Sequence, residues 1–256
     1  MAGFLLACKE QKKIKPKKIR MKIKLPYFKS MFSAVLLLGA VTTMNAATVT
    51  VDSSTLVNGF MNVFELPANG GGFVFNSGWA PADLVSSFSG NTLTVRPNQI
   101  GDPNPFWYVG GGGPGQAGNK IMDASLYNET TGVNVGVPLI FTGYVLANSL
   151  NGAVNPYNGT TYSSVAFIKD FAADFSSFTS TTVALTPGIF SLILLTSADP
   201  THHIQYGFET IGSDIWATDT ALNGGAFTAV IAPVPEPSTL ALCGLAALAL
   251  IRRRNK

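Results

Sequence analysis

Cysteine is almost missing from this chain, and the two that occur, Cys8 and Cys243, lie near its ends. The long middle therefore has no disulfide to staple it and no thiol for nucleophilic or redox chemistry. Positive charge is missing from the same stretch. Between residues 48 and 233 only Arg96, Lys120 and Lys169 are basic, against twelve aspartates and glutamates, a net charge of −9. A domain of that sign repels phosphate backbones and lacks a basic patch, which excludes nucleic acid as a partner. The formal +3 of the whole chain hides this, because the other basic residues sit at the two ends. Histidine is reduced to two neighbours, His202 and His203. Adjacent residues on a regular strand face opposite ways, so the pair cannot chelate one metal, and no cysteine completes a zinc set.

Helical periodicity of useful length is also absent between residues 48 and 233. Short β-branched and aromatic runs recur instead, broken by Asn, Gly, Pro and Ser, the pattern of an all-β domain. The runs are 48–51, 59–66, 71–75, 91–97, 120–129, 138–148, 162–171, 188–197, 203–210 and 225–232. In 120–129 either Ile121 and Asp123 or Met122 and Ala124 face inward; the alternation fits both. In 138–148, Leu139, Phe141 and Leu146 are too apolar for full exposure, and 188–197, the most apolar run, is expected to be central. About ten such strands, in some 185 residues free of covalent staples, are enough for one core, and a single jelly-roll-like β-sandwich is the expected fold.

The two ends differ from this body. Lys22, Lys24 and Lys29 precede an apolar run from Met31 to Val41, and "MNAAT" at 44–48 offers cleavage near Ala46 or Ala47. That is a signal peptide with its n-region, h-region and cleavage site, which implies the export machinery and signal peptidase as partners. Residues 1–20 fit awkwardly in front of it, so translation is expected to start at Met21. A lipobox reading of "LLAC" at Cys8 lacks a preceding basic region.

At the other end, Pro235 and Pro237 fix φ and lack donors, so Val234 to Ser238 is expected to be extended and open to a processing enzyme. Thr239 to Ile251 follows without a charge, mostly Leu and Ala. A transmembrane helix of that length covers roughly 20 Å, short of the roughly 30 Å of a hydrocarbon core. Arg252, Arg253 and Arg254 would stay cytoplasmic as a stop-transfer cluster. The geometry suits a temporary anchor better than a lasting one.

A Pro-Glu-Pro triplet, a short apolar helix and an arginine cluster, in that order, resemble the PEP-CTERM sorting signal. Pro235, Glu236 and Pro237 match its recognition motif, and Arg252 to Arg254 its basic end. The resemblance implies recognition by an exosortase, removal of the tail and delivery to the cell surface or extracellular matrix. The expected organisation is then 1–47 basic extension and signal peptide, 48–232 β-sandwich, and 233–256 sorting signal with its helix at 239–251. The order "FTGYVLAN" (141–148), "SVAFIKDF" (164–171), "TTVALTPGIFSLILLTS" (181–197) and "IQYGFE" (204–209) also resembles the second half of galactose-binding-like carbohydrate modules, with Thr186-Pro187-Gly188 as the connecting turn.

Sites in the body are few. "NPFWYVGGGGPG" at 104–115 sets Trp107 and Tyr108 beside a flexible loop, where an exposed ring can stack on a sugar; the other reading buries two of the three aromatics. Trp79 and Trp216 are similar candidates. Asp170 and Asp174 come nearest to a carboxylate pair, but their spacing does not set the separation a glycosidase needs. Asp102, Asn104 and Asp123 could gather around calcium, although no EF-hand order of oxygens is present. The glycine run lacks the lysine and following helix of a phosphate loop. The expectation is a non-enzymatic surface or matrix protein associated with exopolysaccharide, with no catalytic residue, metal or cofactor. The alternative is a carbohydrate-binding module with an aromatic sugar site.

Overall fold

A computed structural model describes residues 45–219 and 228–233. The expected signal peptide, the helix at 239–251 and all six residues of the sorting motif lie outside the described residues. Among the described residues no helix is long and apolar enough to cross a membrane.

Twelve strands account for the described fold: β1 (Ala47–Thr50), β2 (Asn58–Glu65), β3 (Phe73–Gly78), β4 (Ser86–Ser89), β5 (Thr92–Val95) and β6 (Lys120–Thr131), then β7 (Pro138–Asn148), β8 (Ser163–Phe171), β9 (Phe178–Ala184), β10 (Gly188–Leu195), β11 (His203–Ser213) and β12 (Thr228–Ile231). They form two six-stranded sheets. In the first, β7 is the hub. Strand β10 pairs with it antiparallel along Pro138–Val145. The other edge of β7 is shared end to end by β1, parallel along Leu139–Thr142, and β12, antiparallel along Tyr144–Asn148. Strands β5 and β4 follow β12. The second sheet has the order β3-β2-β6-β11-β8-β9 and is antiparallel throughout.

The two sheets close on one another as a β-sandwich, because each strand puts alternate residues inward. Leu139, Phe141 and Val145 of β7 with Phe190 and Leu192 of β10 meet Ala166 and Ile168 of β8 and Ile204, Tyr206 and Phe208 of β11. Phe141 is the centre: its ring lies 5.3 Å from those of Phe190, Tyr206 and Phe208. Burying a side chain of this size contributes roughly 1.5–3 kcal/mol. A second cluster, with Met61, Val63, Tyr108 and Met122, fills the end under β2 and β6.

The strand starting at Gly188 is not central. Strand β10 pairs only with β7 among the described residues and is an edge. Its inward face supplies Phe190 and Leu192, while Ile189, Ile193 and Leu195 are exposed. Leu146, on the outward face of β7, is likewise half exposed rather than shielded. The Thr186–Gly188 turn does not close a hairpin: β9 pairs with β8 and β10 with β7, so the turn carries the chain between sheets.

Candidate functional site

Strand β6 settles its own phase by turning Met122, Ala124 and Leu126 inward. Asp123, Ser125, Tyr127 and Glu129 are then aligned on the outer face of the second sheet. Pairing extends the rows across the neighbours: Phe60 and Asn62 of β2 lie opposite Ser125 and Asp123, and Gln205 of β11 lies between Glu129 and Lys169. Over these rows opens a cleft of about 550 Å³. Its floor is polar, with Asn62, Asp123, Gln205 and Lys169. Its walls are aromatic: Phe60 and Tyr127 on the β2–β6 side, and Phe171, Phe175 and Phe178 on the β8–β9 side.

The floor is fixed by its own polar contacts. Lys169 Nζ pairs with Glu209 Oε2 at 2.8 Å and lies 4.3 Å from the Phe167 ring centre. Gln205 Nε2 donates to Glu129 Oε2 at 2.6 Å. Asn62 Nδ2 donates to Asp123 Oδ2 at 3.3 Å, while Asp123 Oδ1 is buried without a hydrogen-bond partner. Burial, helped by the Glu209 charge, pushes the Asp123 carboxyl well above the ordinary carboxylate range. At the rim the Phe175 ring stacks on His203 at 4.3 Å and 19°. Phe171 sits 4.9 Å from Phe178 and 5.5 Å from Phe175.

The aromatic residues singled out in the sequence lie elsewhere. Residues 105–107 form a turn, not a strand, so alternation does not govern them. Tyr108 is fully buried and its hydroxyl donates to Ile100 O at 2.6 Å. Its ring packs edge-on to Trp216 at 5.4 Å. Tyr108 is therefore a core residue and cannot offer its face to a sugar. Trp79, Trp107 and Trp216 are half-buried against the same second cluster, and Trp107 meets Phe106 and Phe75 edge-on at 4.7 and 6.0 Å. None of the four lines the outer-face cleft.

Asp170 and Asp174 are not brought together either. Asp170 is buried, accepts from the Ser197 amide at 2.6 Å and lies 2.6 Å from His202 Nδ1. Asp174 is exposed and accepts from the Ser176 amide and hydroxyl. His203 faces Phe175 and Thr131 instead, so the two histidines have separate partners. Of the calcium candidates, Asp102 and Asn104 brace their own loop by accepting from the Asn104 and Phe106 amides. Asp123 belongs to the cleft, whereas Asp102 lines a different groove beside Trp79. Among the described residues no three His, Cys, Asp or Glu side chains are grouped to hold a metal. Ala46 is exposed just ahead of β1, and Ala47 opens that strand opposite Leu139.

One comparison bears on function. The PEP-CTERM protein-sorting motif matches residues 233–255. This motif indicates an exosortase-sorted, exported protein of the cell surface or extracellular space. No curated protein and no solved structure matches the chain.

Proposed function

We propose that this is a non-enzymatic protein of the bacterial cell surface or extracellular matrix, held by its β-sandwich to extracellular polysaccharide. The carrying observation is the sorting motif at residues 233–255, joined to a cargo of acidic, cysteine-free β-structure. Such a domain keeps its fold outside the cell without depending on redox state. In this reading the signal peptide directs export, the tail anchors the chain transiently in the inner membrane, and exosortase releases it. In this reading the β-sandwich has the jelly-roll-like, galactose-binding-like character expected from the sequence, which suits a saccharide-facing role.

Mass spectrometry of the protein recovered from producing cells tests the sorting half. The expected product begins near Ala47 or Thr48 and lacks the residues after the Pro-Glu-Pro triplet; an intact chain in the cytosol overturns the reading. Co-sedimentation with the cells' own polysaccharide, lost when that polysaccharide is removed, tests the matrix half. The carbohydrate-binding reading is favoured by a separate observation, the aromatic-walled cleft.

A further inference from the structure

We propose that the outer-face cleft of the second sheet binds a neutral oligosaccharide chain. Phe60, Tyr127, Phe175 and Phe178 take the apolar ring faces, while Asp123 and Gln205 take hydroxyls. The inference rests on the polysaccharide-associated reading above and moves its contact from Trp107 to a different part of the molecule.

Four features of the cleft select this ligand class. Its size, about 550 Å³, lies within the roughly 300–1,000 Å³ of small-molecule sites. It crosses β2 to β9, five strands at about 4.8 Å spacing, and so gives a run of roughly 19 Å, enough for several linked units rather than one. Its backbone is already spent: β6, β11 and β8 are each paired on both sides, so an extended peptide cannot add as a strand and only side chains are on offer. Aromatic walls over a polar floor match a molecule that is itself apolar on its ring faces and ringed by hydroxyls; a purely apolar ligand would strand the floor's polar groups.

Charge narrows the class. Glu209 already neutralises Lys169 at 2.8 Å, and with Asp123 held toward its protonated form by burial the Glu129 carboxylate is the surplus charge of the lining. The surplus is negative, so uronic-acid chains are repelled and neutral chains are not. Asp123 Oδ1 is buried and without a partner, and a sugar hydroxyl, which both donates and accepts, can supply one in either protonation state of the carboxyl. Phe175 and Phe178 are 50% and 55% exposed. Two phenylalanines beside one cleft contribute little to the core at that exposure and are placed to act as anchors.

The test uses the full chain, purified in a detergent without a sugar headgroup and titrated calorimetrically. The probes are neutral gluco-, manno- and galacto-oligosaccharides, with oligogalacturonate as the acidic counterpart. Neutral chains are expected to bind and oligogalacturonate not to. The exposed double variant Phe175→Ala/Phe178→Ala should keep the parent's melting temperature and bind about tenfold more weakly or worse, while Trp107→Ala binds like the parent. Unchanged affinity in the double variant, a preference for oligogalacturonate, or no binding by any probe overturns the cleft. Co-sedimentation separates the two claims. If the double variant still sediments with the cells' polysaccharide, the matrix reading stands and the cleft falls. If the parent does not sediment at all, the matrix reading falls by itself.

Discussion

At the residue scale the sharpest consequence concerns Asp214. It is fully buried; its Oδ1 accepts from the Lys120 amide at 3.3 Å, and its Oδ2 has no partner. Burial outweighs the nearby amides and the Lys120 charge, and the carboxyl is pushed up to about 7. Between about pH 4 and 7 the folded chain therefore keeps a proton that the unfolded chain releases, so unfolding free energy falls as pH rises through that window. Asp123 shifts in the same direction and adds to the slope. The urea midpoint is expected to be higher at pH 5 than at pH 8. Asp214→Asn should flatten the profile, recovering on the order of 1–3 kcal/mol at pH 8. A variant profile parallel to the parent's would sink the account. Nothing in "GSDIW" at 212–216 announces this, because desolvation comes from residues distant in the chain. Tyr108 escaped for a related reason: the side on which a ring lies can be read from alternation only in a strand, and here Phe106 and Trp107 lie in a turn while Tyr108 makes a lone bridge to Gly118.

At the scale of elements, polarity along one strand reports two faces at once and says nothing about neighbours. That explains the misplacement of β10, where inward Phe190 and Leu192 add to outward Ile189, Ile193 and Leu195 to make the most apolar run, although the strand is an edge. The opposite error hid β9, "FTSTTVA", and β4, "SSFS", whose polar residues read as loop. Strand β6 could not be phased because its outer face, Asp123 to Glu129, mixes polar and aromatic residues, and that mixture is the cleft itself. An apolar edge invites pairing with another chain. Ile193→Lys, at a position 57% exposed, should reduce self-association in sedimentation velocity while changing stability by no more than about 0.5 kcal/mol. Equal self-association in variant and parent would show that the edge is already protected. Elsewhere a strand depends on a missing side chain. A Cβ on Gly212 of β11 would lie 2.0 Å from Tyr162 Cδ1. Tyr162 is pinned there by its hydroxyl, which donates to Ser213 O at 2.7 Å and accepts from Asn155 Nδ2 at 3.0 Å. Gly212→Ala must push the ring out of that network and should cost about 2 kcal/mol or more, read as a lowered midpoint in urea. A midpoint equal to the parent's would mean that the ring has room to move.

At the scale of the whole molecule, legibility follows how far apart the contributing residues are. The sorting motif is linear, so composition and order within residues 233–255 suffice to find it. The sandwich class is nearly as legible, since ten of the strands announce themselves as separate short runs. The cleft gathers residues from Phe60 to Gln205 and exists only once pairing has set β2, β6, β11, β8 and β9 side by side. This difference separates addressing from binding within one chain, and the separation can be tested. Among the described residues, the buried residues of the sandwich core lie between Val51 and Val230, upstream of the triplet. Replacing the triplet with alanines restores the two amide donors that Pro235 and Pro237 lack and removes the one charge between them. The expected outcome in producing cells is accumulation of an unprocessed chain in the inner-membrane fraction and its loss from the surface. Calorimetric titration of that retained variant with a neutral oligosaccharide should match the parent. Normal release of the triplet variant would detach the sorting function from these residues; a simultaneous loss of sugar affinity would show that tail and cleft are one unit rather than two.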